Sequence, residues 1–332
     1  MGKCFNVGLI GAGGVTELHL EGYKGNTDRV KVTAICDSNP AILKERADKY
    51  GIPNRFTSLE DFIEFSNVDV AVVCTPTSVR KDVLFPLIEA GFPIFVEKPF
   101  SDSIQEAIEI TEKAKEHNVP ISVNQNFRRH YPFEVIKEIV DQGTVGNVTQ
   151  IIFNEIFFRQ DQGWRLNCER HAMSVMGIHW FDGFRLVLGS NPESVACLTR
   201  SSSAINCKGE TDSTVQVAFE NGAIVTYVQS FSSTYRKNEM TVIGETGTLV
   251  ANHTSVKLYR NGEREPVQTW ENHVSREEAT FGGINQLLTS IETGKEAANS
   301  SIDNLKTVAL LDAAYRAANE KRIVTFKQGV LV

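Results

Sequence analysis

The run Phe5–Ile10 is apolar without alternation, and it stops at Gly11-Ala12-Gly13-Gly14-Val15-Thr16. A short, unbroken apolar run bounded by glycines predicts a buried strand. A helix starting straight after it predicts a tight strand-to-helix turn. Gly11 suits that turn. Gly13, with no side chain, allows close approach to the backbone. The helix N-terminus then offers open N–H groups and a positive dipole end to an anion. The third position of such a glycine fingerprint is Thr16, neither Gly nor Ala, so the pattern is degenerate and its context has to support it.

The context repeats the same alternation. Strand-like runs at Val30–Cys36, Arg55–Thr57, Val70–Cys74, Pro93–Val96 and Ile121–Asn124 are separated by amphipathic stretches. Those stretches are Pro40–Lys49, Leu59–Phe65, Lys81–Ala90 and Ile104–His117. Buried strands alternating with helices predict an α/β Rossmann-type parallel sheet with helices on both faces. Asp37 closes the second strand, 37 − 11 = 26 positions after the first glycine. A carboxylate there can accept the ribose hydroxyls of a dinucleotide and would repel a 2′-phosphate, which favours NAD over NADP. The competing reading is a cap on the helix that begins near Pro40.

After residue 122 the pattern changes. A helix is predicted over Phe133–Asp141, a strand over Val148–Phe158 and a helix over Met173–Leu188. Closely spaced strands follow at Val195–Thr199, Thr214–Glu220, Ala223–Gln229, Glu239–Gly244, Gly247–Asn252 and Ser255–Arg260. Asn221-Gly222 is a hairpin signal. Helices at Phe281–Thr293 and Ile302–Asn319 close the chain. Two domains are expected, 1–122 and 123–332, the second an α+β domain with a large, mostly antiparallel open sheet.

Composition narrows the partners. The chain has 332 residues, 34 Lys+Arg against 41 Asp+Glu, and a net charge of −7. It has no basic cluster to hold nucleic acid and no apolar run long enough to span a membrane. The six cysteines form no CxxC pair, and a chain with large cores has no need of disulfides. Free thiols and a cytoplasmic location are expected. The spacings of Cys168, Glu169, His171 and His179 match no zinc pattern, so no metal is expected. Phe153, Phe157 and Phe158 read as sheet packing or an oligomer interface.

Further motifs follow in order: Cys74-Thr75-Pro76-Thr77, Glu97-Lys98-Pro99, Asn126 with Arg128, Trp164-Arg165, Gly177-Ile178-His179 with Asp182, and Gly244-Glu245-Thr246-Gly247. With the glycine turn and the closing stretch from Asp303 to Val324, this series resembles the Gfo/Idh/MocA family. That family is named for glucose–fructose oxidoreductase, inositol dehydrogenase and a rhizopine-catabolism protein. The resemblance covers nearly the whole chain. It implies an NAD(P)-dependent dehydrogenase or reductase of sugars and cyclic polyols, dimeric or tetrameric through the second domain's sheet. It also implies cofactor contacts at Gly11, Gly13, Gly14, Val15, Asp37, Thr75, Pro76, Thr77, Glu97, Lys98, Gln125 and Arg165. A cis peptide before Pro99 is implied as well.

Lys98 then stands as a catalytic lysine that stabilises charge on the reacting oxygen. His179, in a helical run that places 175, 179, 182 and 186 on one face, stands as a general base. Lys98, Arg128, Trp164, Arg165, His179 and Asp182 are candidate substrate contacts. Ion pairing across the domain junction is an equal reading for Arg128, and a buried core residue is the plain reading for His179. The polar stretch Gln160–His171 is a candidate substrate loop or a solvated one. Two positions depart from the family pattern: Val175 where an aspartate is common, and Arg80 where a histidine is common. They leave open an NAD-retaining glycoside hydrolase that uses transient oxidation, and a catalytically inactive sensing relative.

Overall fold

The computed structural model describes residues 3–65, 67–327 and 330–331. Among these the chain forms two compact units. One comprises Met1–Asn126 and Ser275–Leu305, the other Phe127–Val274 and Lys306–Val332.

The first unit carries six strands: β1 Phe5–Ile10, β2 Val30–Cys36, β3 Asn54–Phe56, β4 Val70–Val73, β5 Ile94–Val96 and β6 Ile121–Val123. They pair in parallel in the order β3-β2-β1-β4-β5-β6. The connecting helices are α1 Gly14–Lys24, α2 Pro40–Tyr50, α3 Leu59–Glu64, α4 Arg80–Glu89 and α5 Ile104–Glu116. Strand order reverses between β1 and β4, which opens a ligand crevice at the carboxyl ends of the strands. The predicted elements agree with these to within a residue or two.

The division at residue 122 needs correction. Helix α6 Phe133–Asp141, helix α7 Ile178–Leu188 and most of α9 Ser301–Glu320 belong to the second unit, but α8 Arg276–Thr293 packs with the first. Ile284, Leu287 and Leu288 of α8 share one core with Val7, Leu9, Val70, Val72 and Phe95. Gly22 of α1 lies so near α8 that a Cβ there would stand 2.6 Å from the Glu277 carbonyl oxygen. Asn299 donates to the Val123 carbonyl at 3.1 Å. Periodicity shows that a helix has an apolar face but not which sheet covers it.

The second unit contains β7 Val148–Phe158, β8 Pro192–Arg200, β9 Asp212–Phe219, β10 Ile224–Ser230, β11 Ser232–Gly244, β12 Thr248–Ala251, β13 Ser255–Tyr259, β14 Gln268–Glu271, β15 Val324–Lys327 and β16 Val330–Leu331. Their order is β14-β13-β12-β11-β7-β10-β9-β8-β15-β16. Pairing is antiparallel except between β7 and β10. Strands β14, β15 and β16 were not predicted; they are short and sit at the sheet's two ends, where little apolar patterning is needed. β11 starts at Ser232 rather than Glu239, and its irregular register between Ser232 and Lys237 breaks the alternation that marks a strand.

One face of this sheet is packed by α7. The Phe153 and Tyr227 rings stack at 5.7 Å, and Trp180, Phe181 and Phe184 of α7 lie against them. Phe153 and Phe157 thus serve packing, while Phe158 is exposed. Cys36, Cys74 and Cys197 are buried thiols without a bridge. Among the described residues no helix is long and apolar enough to cross a membrane.

Candidate active site

The turn after β1 is built as its glycines require. Gly11 has φ +95°, a left-handed conformation, and a Cβ there would stand 3.0 Å from the Cys74 carbonyl carbon. Thr16, the degenerate fingerprint position, is fully buried and donates its hydroxyl to the Gly11 carbonyl at 2.7 Å. It therefore secures the turn. Gly13 caps α1 with no side-chain hydrogen bond. A Cβ on Gly13 or Gly14 would meet no protein atom within 4 Å, so no packing demand explains these glycines. The helix start is an uncovered cradle of N–H groups, which fits a pyrophosphate.

Asp37 follows β2 at the same edge. Its carboxylate accepts from Ala12 N–H at 2.7 Å and Asn39 N–H at 2.8 Å. The capping reading does not hold: Asn39 caps α2, accepting from Ala41 and Ile42. Asp37 instead ties the end of β2 to the glycine turn, with lone pairs left for further donors. These groups fit a dinucleotide: open N–H donors at the start of α1 suit a pyrophosphate, and the Asp37 carboxylate suits hydroxyl donors.

The ends of β4 and β5 are held together by Arg80. Its buried guanidinium donates to the Glu97 carbonyl at 2.5 Å and to the Thr75 and Pro99 carbonyls. Burial lowers its pKa to about 10, so it stays charged near neutrality. Arg80 is thus a strut under both motifs. Thr77 donates to Asp102 at 2.6 Å. The Lys98–Pro99 peptide is cis, as the resemblance implied. Glu97 is buried and binds His19 at 2.8 Å and Asn124 at 2.6 Å. Burial opposes its charge, but those two partners outweigh it and hold the carboxyl below its usual range. Lys98, next in line, is half-buried. Gln125 is 3% exposed, and both ends of its amide lack a protein partner. A buried amide left in that state fits a ligand that supplies its donors and acceptors.

In the second unit, Phe127 and Arg128 clasp α7. His179 is buried and stacks on Phe127, centroids 4.1 Å apart and planes 14° apart. Arg128 makes a two-pronged contact to Asp182, at 2.6 and 2.7 Å. Asp182 also accepts from Thr307 at 2.8 Å. Arg128 thus forms an ion pair, but within the second unit and not across a domain junction as the sequence reading had it. Met173–Gly177 forms a π-helical turn before α7. The single face assigned to 175, 179, 182 and 186 assumed regular α spacing, and the wider turn breaks it between 175 and 179. Such turns are often found at functional sites.

The stretch Gln160–His171 is not a solvated loop throughout. Asp161 and His171 are buried and pair at 3.1 Å, and Arg159 also binds Asp161. Burial would raise the Asp161 pKa, but these two partners hold it well below the usual range. Arg170 pairs with Asp312 and Glu169 with Lys208. Trp164 remains 46% exposed, with Arg165 over its ring at 5.0 Å.

Comparison with known proteins places these features. A family model described as "Oxidoreductase family, NAD-binding Rossmann fold" matches residues 5–125, and the GFO/IDH/MocA C-terminal domain matches residues 133–250. The chain belongs to the Gfo/Idh/MocA oxidoreductase family. It is 27% identical to an inositol 2-dehydrogenase of Rhizobium meliloti, over 96% of this chain and 98% of that one. It is 25% identical to a D-apiose dehydrogenase of Rhizobium rhizogenes, over 95% of this chain and 96% of that one. Among solved structures, a levoglucosan dehydrogenase in complex with NADH has the same fold, with TM-score 0.90 at 18% identity over 98% of this chain and all of the other. This Gfo/Idh/MocA chain is thus an NAD-binding oxidoreductase of a sugar and polyol dehydrogenase family.

Sequence reading passed over several residues of this family member. His19, on the inner face of α1, looked like one more helix position and instead binds Glu97. Glu155 was detectable. On β7 the inward-facing residues 151, 153 and 157 are Ile, Phe and Phe, and Glu155 breaks that apolar series. His130 and His253, rings 5.8 Å apart, come from segments 123 residues apart and carry no local signal. Among the described residues no group of three or more His, Cys, Asp or Glu is placed to hold a metal ion.

Proposed function

We propose that this chain oxidises a secondary alcohol of a sugar, inositol or related polyol, or reduces the matching ketone, with NAD preferred over NADP. The observation that carries the reading is one sheet edge. An uncapped helix start, Asp37 and Lys98 all lie at the carboxyl ends of the strands of one parallel sheet. Bound NAD supplies hydride acceptance at that edge. Gly11, Gly13, Gly14, Val15, Asp37, Thr75, Pro76, Thr77, Glu97, Gln125 and Arg165 are assigned to holding it. The relatives named for inositol and apiose support the substrate class.

The side chains divide the remaining work. Lys98 holds the reacting oxygen and stabilises the negative charge that develops as the hydroxyl proton departs. His179 takes that proton in oxidation and returns it in reduction. Trp164 and Arg165 contact substrate or cofactor from the loop. Arg128 and Asp182 neutralise each other, and we place them as supports of α7 rather than direct ligands. The chain assembles as a homodimer or homotetramer through the exposed face of the second sheet, where Leu198 and Ile224 are uncovered.

The deciding experiment follows absorbance at 340 nm with a panel of sugars, sugar acids and inositols, using NAD and NADP in parallel. NADH formation with a panel member is the expected result. Release of an aglycone without net NADH would replace this reading with the NAD-retaining hydrolase. Cofactor binding without any turnover would replace it with a sensing role.

A further inference from the structure

The helical segment that carries His179 has no cap of its own. Its first internal bond runs from the Val175 N–H to the His171 carbonyl at 2.8 Å. The N–H groups of His171, Ala172, Met173 and Ser174 therefore have no partner within the segment. All four residues are buried, and buried N–H groups must be bound.

Glu210, in the loop before β9, binds three of them. Its carboxylate accepts from the His171 N–H and from the Met173 N–H, each at 2.9 Å and each with its own oxygen. Its backbone carbonyl accepts from the Ala172 N–H at 3.1 Å. The Tyr315 hydroxyl of α9 accepts from the Ser174 N–H at 3.1 Å and donates to Glu210 at 2.7 Å. Burial and the Glu210 charge push that phenol well above its usual range, so it stays a donor. A carboxylate here also complements the positive end of the helix dipole.

The sheet closes the clamp from the other side. Gln229 of β10 is buried, and the Tyr227 hydroxyl donates to its amide oxygen at 2.8 Å. Its amide nitrogen donates to the Ala172 carbonyl at 2.8 Å, and its oxygen stands 3.1 Å from where a Cβ on Gly177 would be. One side chain thus meets both ends of the π turn, and His179 follows Gly177 by two residues. Beyond it, Asp182 is pinned by Arg128 and Thr307. The extra residue of the π turn is held between these two anchors. With the first anchor released, that residue could pass along the helix, and each one-residue change of register turns a side chain by about 100°.

We propose that Glu210 is a positioning residue for the reaction: with Tyr315 it clamps the π turn and so fixes the rotation at which His179 is presented. This rests on the reading of His179 as the proton-handling residue.

The test compares Glu210→Gln, Glu210→Asp and Tyr315→Phe with wild type, well below Tm. Glutamine keeps one acceptor and turns an NH2 donor toward the other N–H. Hydrogen exchange at the Met173 and Ser174 amides should quicken by about tenfold or more, the equivalent of one hydrogen bond to a charged group. The kcat should fall by about 10- to 100-fold, the cost of displacing a reacting group by about 1 Å, while KM for NAD stays close to wild type. Glu210→Asp keeps the charge and should recover part of kcat. Faster exchange and a lower Tm with kcat unchanged would show a purely structural cap and overturn the proposal, as would unchanged exchange. If Glu210→Gln does not fold, Tyr315→Phe decides, because it removes one hydroxyl and keeps the ring that Arg170 covers at 4.8 Å. The His179 ring signal, read by NMR without substrate and assigned by its loss in His179→Gln, separates the two readings. A signal displaced in the variants, when wild type transfers no hydride to NAD, keeps the positioning role and overturns the dehydrogenase. Hydride transfer in wild type with an undisplaced signal in the variants does the reverse.

Discussion

His19 Nε2 lies 2.8 Å from Glu97 Oε1, and both side chains are buried. Burial disfavours a charged imidazole, but Cys74 and Glu97 beside it prevail and raise the His19 pKa to about 10. Glu97 moves the other way, below its usual range. The pair holds the residue that precedes Lys98, so its state bears on the stability of the first unit and on the placement of Lys98.

The pH dependence follows from the two directions. The His19 contribution is complete below its unfolded pKa near 6.5 and declines as pH rises through about 10. The Glu97 contribution is complete above its unfolded pKa and is lost as pH falls through the lower folded value. His19→Leu leaves Glu97 buried without its cation, and should cost about 3 kcal/mol near pH 6. Urea unfolding at a series of pH values should show stability falling above neutrality in wild type and a flatter line in the variant. Parallel lines would rule the pair out as the source.

Lys98→Ala should lower kcat/KM by about 100- to 10,000-fold, the range for removing a proton-handling or charge-stabilising group. NAD affinity, measured by calorimetry, should change by less than about threefold if, as proposed, binding rests mainly on the glycine turn and Asp37. Full turnover in the variant would remove Lys98 from the chemistry.

Asp37→Ser should weaken NAD binding by about tenfold or more, the equivalent of one charged hydrogen bond. The ratio of NADP to NAD affinity should rise, since the carboxylate no longer repels a 2′-phosphate. Fluorescence titration with both cofactors reads this directly. An unchanged ratio would assign Asp37 only to the Ala12 and Asn39 amides it already binds.

Arg128→Met separates support from substrate binding. Asp182 would keep Thr307 and Arg185 but lose its two-pronged partner. Unfolding should become easier by about 3 kcal/mol, with a lowered Tm and a KM near wild type. A raised KM with unchanged Tm would make Arg128 a substrate ligand.

Much of the fold was legible because it is local. Phe5–Ile10, the glycine turn and Asp37 are set by short-range rules of strand burial, left-handed turns and strand-end spacing, and the first sheet follows from repeating them. Lys98 and His179 were visible for a different reason: they stand inside an ordered series of motifs that resembles one family. Asp37 was assigned correctly to the sheet edge, while its role as a helix cap went to Asn39, two residues on. One or two residues lie below the precision of spacing arguments.

What the tertiary structure alone decided concerns partners far apart in the chain. Sequence could name Glu97 and Arg80 but not say that His19, 78 residues earlier, binds the first, or that the second ties three carbonyls together. It passed over Glu155, whose register partners Gln229 and Asn238 come from β10 and β11. It assigned α8 to the wrong unit. Local backbone preference and hydrophobic period are written within about a dozen neighbouring residues, so a chain states them directly. Which buried charge meets which depends on the register of distant elements, and that is settled only when they pack.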